Sequence, residues 1–187
     1  MQHPHPHIRP THPPAMEGSG NATPPSAPPL LLFDGGCNLC NFTVDTMLRL
    51  DRRYAPPPGE PRLRFASLQS AAAKEVLKVH GLTPSQYIVP ERPSEETVVL
   101  LEGGTAYVRS TAILRAVAQL APAWLAALCI VLLYLVPVIV RDAIYKRVAQ
   151  NRLRLFGKTD TCRMATAEEK AHFLSPKTIA MYTAPLE

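Results

Sequence analysis

Aromatic side chains are scarce in this 187-residue chain, at 6%, which removes the stacking platforms that single-stranded nucleic acids need. Positive charge is present without being concentrated. Twenty Lys and Arg against fifteen Asp and Glu leave a net +5, which favours acidic partners or a membrane surface but falls short of a nucleic-acid-binding stripe. Four cysteines are too few for a small secreted disulfide scaffold. No apolar h-region follows the N-terminus, so no secretory signal is expected and an intracellular setting is favoured. No internal repeat is visible, and the length suits one domain with tails.

Proline is abundant instead, and unevenly placed. Nine of the twenty prolines and four of the six histidines fall within residues 1–29, a stretch without an apolar run to offset its ordering entropy, and a disordered tail is expected there. Order begins at Leu30-Leu31-Leu32-Phe33, a buried strand closed by the turn Asp34-Gly35-Gly36. Cys40, Val44, Met47 and Leu48 then repeat with helical spacing to about Asp51. Leu63 to Ala66 alternates as a second strand, and a helix is expected from Ser67 to Gly81, with His80 as a surface residue favoured by the helix dipole. Thr97 to Leu101 and Thr105 to Val108, joined by Gly103-Gly104, read as a hairpin. Ser110 is the expected cap of a further helix ending before Pro122.

Strand, helix, strand, helix, hairpin, helix predicts an α/β layer with the first two strands parallel, because a helix crosses between them. The expected division is a core over 30–121, an apolar and then basic helical extension over 122–174, and a flexible tail over 175–187.

Chemistry concentrates at Cys37-Asn38-Leu39-Cys40. Cys37 opens a helix, where free N–H groups and the dipole stabilise a thiolate. Cys40, one turn on, is placed to close a disulfide onto it and release a mixed-disulfide partner, and its position on the apolar stripe predicts that it is the more buried sulfur. Asn38 and Leu39 bring no positive charge between them. A zinc half-site is the competing reading, with Cys162 or His172 as further ligands, but a second closely spaced pair is missing. Asp34 is either a proton relay for the resolving step or an ordinary turn residue before Gly-Gly.

These residues resemble a known family. Phe33-Asp34-Gly35-Gly36-Cys37-Asn38-Leu39-Cys40-Asn41 is similar to the D-x-x-C-x-x-C signature of the DCC thiol-disulfide oxidoreductases. The likeness continues in Arg64 to Ser70, in Val98 to Leu101 with Gly103-Gly104, and in Arg141 to Tyr145 with Asn151-Arg152 and Phe156-Gly157-Lys158. It covers roughly residues 30–174. The resemblance implies a thioredoxin-like fold and protein-disulfide oxidoreductase activity, with Asp34, Cys37 and Cys40 as motif positions. Thioredoxins place a cis-proline directly before the third strand, whereas here Pro93 lies several residues ahead of Val98.

Residues 123–140 carry no charge, long enough for a transmembrane candidate. Six Lys or Arg follow between Arg141 and Lys158, against Asp142 alone. Pro137 interrupts the run, and Val140, Ile144 and Val148 share one face of the helix beyond it. A buried or interfacial helix is expected rather than a span, with Cys129 an inert buried thiol.

The leading expectation is thiol-disulfide exchange with protein or small-molecule thiols and disulfides: Cys37 attacks, Cys40 resolves, Asp34 assists proton transfer, and no bound cofactor is required. The alternative is a membrane-associated interaction protein, docking through residues 123–158, whose C-x-x-C is structural. A phosphate-transfer enzyme built on Asp34 ranks last, since Gly36 stands where a second carboxylate is wanted. Cys162 is a structural thiol or a third redox partner.

Overall fold

A computed structural model of the chain describes residues 27–54, 61–87, 97–157 and 165–183. The bulk of the N-terminal tail, Pro93, Lys158 and Cys162 lie outside the described residues.

Strand β1 (Leu30–Phe33) is buried along its whole length. Leu31 and Phe33 enter one core with Val44, Met47, Leu48 and Leu120, while Leu30 and Leu32 enter another with Val76, Leu77 and Tyr182. Strand side chains alternate, so a strand covered on both faces reads as an unbroken apolar run. β1 pairs in parallel with β2 (Arg64–Ser67) and antiparallel with β3 (Val99–Glu102), which pairs with β4 (Thr105–Val108), giving the order β2-β1-β3-β4. The hairpin turns on Gly103 and Gly104, both at positive φ, a conformation that costs glycine no Cβ clash.

Helix α1 (Asn38–Tyr54) crosses from β1 to β2 and presents the expected stripe. Helix α2 (Ala71–Val79) begins later than expected, because Ser67 closes β2 and Ser70 is the N-cap, its hydroxyl oxygen accepting from the Ala73 N–H at 3.1 Å. Replacing this cap, Ser70→Ala, is expected to lower stability by about 1 kcal/mol in chemical denaturation. His80 is not the dipole-stabilised surface charge that was expected. It caps the end of α2 half-buried, with Nε2 3.2 Å from the Tyr182 carbonyl, and burial lowers its pKa.

Helix α3 (Arg109–Leu120) follows β4 directly and lacks a side-chain cap. The expected cap, Ser110, lies inside the first turn and donates to the Asp142 carboxylate instead. Beyond Pro122, helix α4 (Ala123–Leu135) and helix α5 (Val138–Phe156) meet at Pro137 with a bend of 112°. No single helix among the described residues is long and apolar enough to cross a membrane, though the bent pair passes that test together. A buried α4 does not hold: Cys129 is its sole buried residue, and burial raises that thiol's pKa.

The chain end is also more ordered than a flexible tail from residue 175 implies. Phe173 bridges to Phe65 beside β2. Helix α6 (Ala180–Thr183) seats Tyr182 fully in the core under α2, where its hydroxyl donates to the Pro28 carbonyl at 2.6 Å. One large buried ring on a short helix outweighs the polar composition around it. The architecture is α/β and thioredoxin-like, with a C-terminal helical part.

Candidate active site

The Asp34-Gly35-Gly36 turn carries the chain from the end of β1 into α1, and the side chains of Asp34, Gln69 and Asn41 fix it. The Asp34 Oδ1 accepts from the Gly36 N–H at 2.9 Å and from the Gln69 amide at 3.0 Å. Gln69 Oε1 in turn accepts from the Gly35 N–H at 3.1 Å, and the Asn41 amide donates to the Gly35 carbonyl at 3.2 Å.

Cys37 is the N-cap of α1. Its carbonyl accepts the first helical bond, from Asn41 N–H at 3.0 Å, and its Sγ accepts from the Cys40 N–H at 3.4 Å. The sulfur thus takes the place that a Ser or Asp oxygen fills in an ordinary N-cap. The Cys40 thiol's hydrogen bond, the Cys40 N–H and the charge of Arg152 together outweigh burial and lower the Cys37 pKa from its ordinary value to about 6. Cys40 is pushed the other way, by its bond to Cys37, by burial and by the negative charge on Cys37. The pair therefore divides into a ready thiolate and a thiol that keeps its proton.

Cys40 is the more deeply set thiol, as expected, but it is not the one with less exposed surface. Cys37 has 0% of its surface exposed, whereas Cys40 is half-buried and lines an apolar cavity of about 170 Å³ between α1 and α5. Hydrophobic spacing reports which residues face the core, but an N-cap is also covered by whatever lies over the helix end. Here that is the end of α5. The Asn38 amide donates to the Phe156 carbonyl at 2.9 Å, and Gly157, at φ 78°, approaches so closely that a Cβ there would stand 3.3 Å from the Asn38 amide.

Arg152 of α5 is the residue that sequence reasoning missed. Its buried guanidinium donates to Asp34 Oδ2 at 2.8 Å across 118 positions of chain. Burial opposes its charge, but Cys40, Cys37 and Asp34 outweigh that and raise its pKa. It brings to the pair the positive charge that Asn38 and Leu39 do not supply. The signal was weak but present, since Tyr145, Ala149 and Arg152 share one helical face. Tyr145 lines the cavity, and its buried hydroxyl accepts from the Val98 N–H at 3.2 Å and from Thr97.

Of the zinc ligands considered from sequence, Cys162 lies outside the described residues and His172 does not approach the cysteine pair. His172 Nε2 lies 3.1 Å from Asp51 Oδ2, fourteen positions along α1 from Cys37 and so about 20 Å away. Among the described residues no three His, Cys, Asp or Glu side chains are grouped to hold a metal ion.

Comparisons with known proteins place this site in a family. Residues 31–158 match the model of the DCC1-like thiol-disulfide oxidoreductases. Relatives include YuxK of Bacillus subtilis (strain 168), an uncharacterized protein 34% identical over 78% of this chain and 93% of its own. A chloroplastic DCC family protein of Arabidopsis thaliana is 34% identical over 73% of this chain and 69% of its own. No solved structure matches significantly. The matched span runs from β1 through the cysteine pair to the end of α5, and so takes in both partners of the Asp34–Arg152 bond. The chain belongs to the DCC1-like thiol-disulfide oxidoreductase family.

Proposed function

We propose that the protein exchanges disulfides with protein or small-molecule thiol partners through Cys37 and Cys40. The observation that carries this reading is the unequal pair: a sulfur capping a helix, with its pKa lowered to about 6, beside one whose pKa is raised. The Cys37 thiolate attacks a substrate disulfide, forming a mixed disulfide and expelling one substrate thiolate. Cys40 then loses its proton and attacks the Cys37 sulfur, closing the internal disulfide and releasing the second thiolate. Two electrons pass from the pair to the substrate, and the reverse sequence oxidises a dithiol. In this reading Asp34 serves the pair by holding Arg152, and its carboxylate assists the proton transfer as Cys40 resolves.

Redox titration of the full chain in glutathione buffers, with free thiols counted by mass-tagging, is expected to show a reversible two-thiol transition. Absence of that transition at every accessible potential overturns the reading. The pH dependence carries a second expectation. Alkylation of reduced Cys37 should rise with pH through a midpoint near 6, because the thiolate is the reacting form. An Asp34→Asn variant with an unchanged exchange rate across neutral pH would remove Asp34 from the proton-transfer step.

A further inference from the structure

Helix α5 buries two charged side chains and exposes much of its apolar surface. Its inward face carries Asp142, Ala149 and Arg152, all buried. Its outward face carries Ile139, Val140, Ile144, Val148 and Leu155, all exposed. The sequence puts Val140, Ile144 and Val148 on one face, and the structure leaves these three exposed. The inward charges are partnered, Arg152 by Asp34 and Asp142 by Ser110 and Arg109, so the arrangement leaves no buried charge uncompensated. In water, however, it leaves the wrong face outside.

α4 adds to that face. Of the fourteen large apolar side chains exposed among the described residues, twelve lie on α4 and α5. Trp124 is 71% exposed, Tyr134 84% and Leu135 77%. A surface of this size signals an unseen contact rather than ordinary surface composition.

We propose that the outer face of α4 and α5 lies in the plane of an anionic lipid bilayer, embedded in one leaflet without crossing it. Charge complementarity selects lipid over another protein. Between residues 123 and 156 the acidic side chain is Asp142, which is buried, while Lys146, Arg147 and Arg154 are exposed beside the apolar residues. Apolar side chains edged by cations, with no exposed anion, suit acyl chains beneath anionic headgroups. Trp124 and Tyr134 have the amphipathic rings that settle at that depth.

Length decides against a span. The thirteen residues of α4 reach about 20 Å, short of the roughly 30 Å hydrocarbon core, and the 112° bend turns α5 away from its axis. The bend is held. Arg141 donates to the Val136 carbonyl at the end of α4 at 3.0 Å and to Thr111 of α3 at 3.2 Å. The elbow is therefore pinned to the redox core and is not free to fold its apolar face inward. Val148 belongs both to this face and to the cavity lining beside Cys40, so the bound elbow brings that cavity to the membrane surface.

Trp124 is the chain's one tryptophan, which gives the test a local reporter. The full chain is mixed with vesicles of phosphatidylcholine alone or with added phosphatidylglycerol. It should float with the anionic vesicles, with a blue shift of Trp124 emission and quenching by lipids brominated near the headgroup. Leu135→Glu is expected to weaken partitioning by roughly tenfold or more, while leaving the Cys37 alkylation profile intact as the sign of a folded core. Lys146→Gln with Arg147→Gln should weaken binding roughly tenfold or more on anionic vesicles alone. Protein that neither floats nor shifts with either vesicle overturns the proposal. So does retention after carbonate extraction, which marks a span. A concentration-dependent blue shift in lipid-free buffer, with dimers and no flotation, assigns the face to a second copy of the chain and overturns it equally.

Discussion

Replacing Arg152 with leucine is expected to cost about 3–5 kcal/mol of stability, because it strands the Asp34 carboxylate in a buried site. Both side chains are nearly inaccessible and 2.8 Å apart, so water cannot make good the loss. The double variant Asp34→Asn, Arg152→Leu should recover part of that cost by removing the stranded charge. Urea denaturation of the reduced proteins measures both. A second readout separates an electrostatic role from a purely structural one. The guanidinium favours the Cys37 thiolate, so its removal should move the alkylation midpoint upward from about 6 toward the ordinary thiol value. Arg152→Lys, if folded, retains a charge without the planar fork and should restore the midpoint more than the stability. An unchanged midpoint in a folded Arg152→Leu variant would reduce the residue to a structural tie.

Cys37→Ser is expected to abolish disulfide exchange, and Cys40→Ser to trap it half-way. With Cys37 intact and no resolving thiol, the mixed disulfide should accumulate and be visible by mass after incubation with a disulfide substrate. The Cys37→Ser variant should form none. If instead Cys40 forms the stable adduct in Cys37→Ser at the native rate, the half-buried sulfur is the entering one and the proposed order of attack reverses. The pH dependence of stability offers an independent check. A thiol whose folded pKa lies below its unfolded value contributes stability above the unfolded value and loses it as pH falls through the folded one. The reduced protein should therefore gain stability relative to Cys37→Ser as pH rises from about 6 to about 9, read by denaturation at a series of pH values. The same stabilised thiolate favours the reduced pair, so Arg152→Lys, Arg152→Leu and the native chain should order in potential as they order in alkylation midpoint.

Much of the core was legible because it is governed by neighbours in sequence. An apolar tetrapeptide before Asp-Gly-Gly makes a buried strand and a turn, and a four-residue apolar spacing makes a helix whose first free N–H groups meet Cys37. Gly-Gly between two alternating runs makes a hairpin. Each depends on contacts within a few residues, where backbone geometry and side-chain period leave few alternatives. The cysteine pair was readable for the same reason, since its spacing and its place at a helix start are local. Ser110 misled because any serine near a helix start has capping chemistry, and the helix placed from Ser67 starts instead after the Ser70 cap. Which serine caps depends on where the strand before it ends and on whether a distant Asp142 claims the hydroxyl.

The long-range partners lay beyond such rules. The face that Arg152 shares with Tyr145 and Ala149 marks it as inward but does not name Asp34, 118 positions away, as its partner, and nothing near Tyr182 announces a seat under α2. Hydrophobic period gives an apolar face to α5 but does not say that this face points outward; the ion pairs of Asp142 and Arg152 decide that, because buried charges must meet their partners before apolar side chains can choose a side. Local sequence thus establishes the strand, the helix start and the two thiols. Tertiary structure decides which sulfur is covered, which cation stands beside it and which surface the extension leaves bare, because each depends on side chains that only the folded chain brings together.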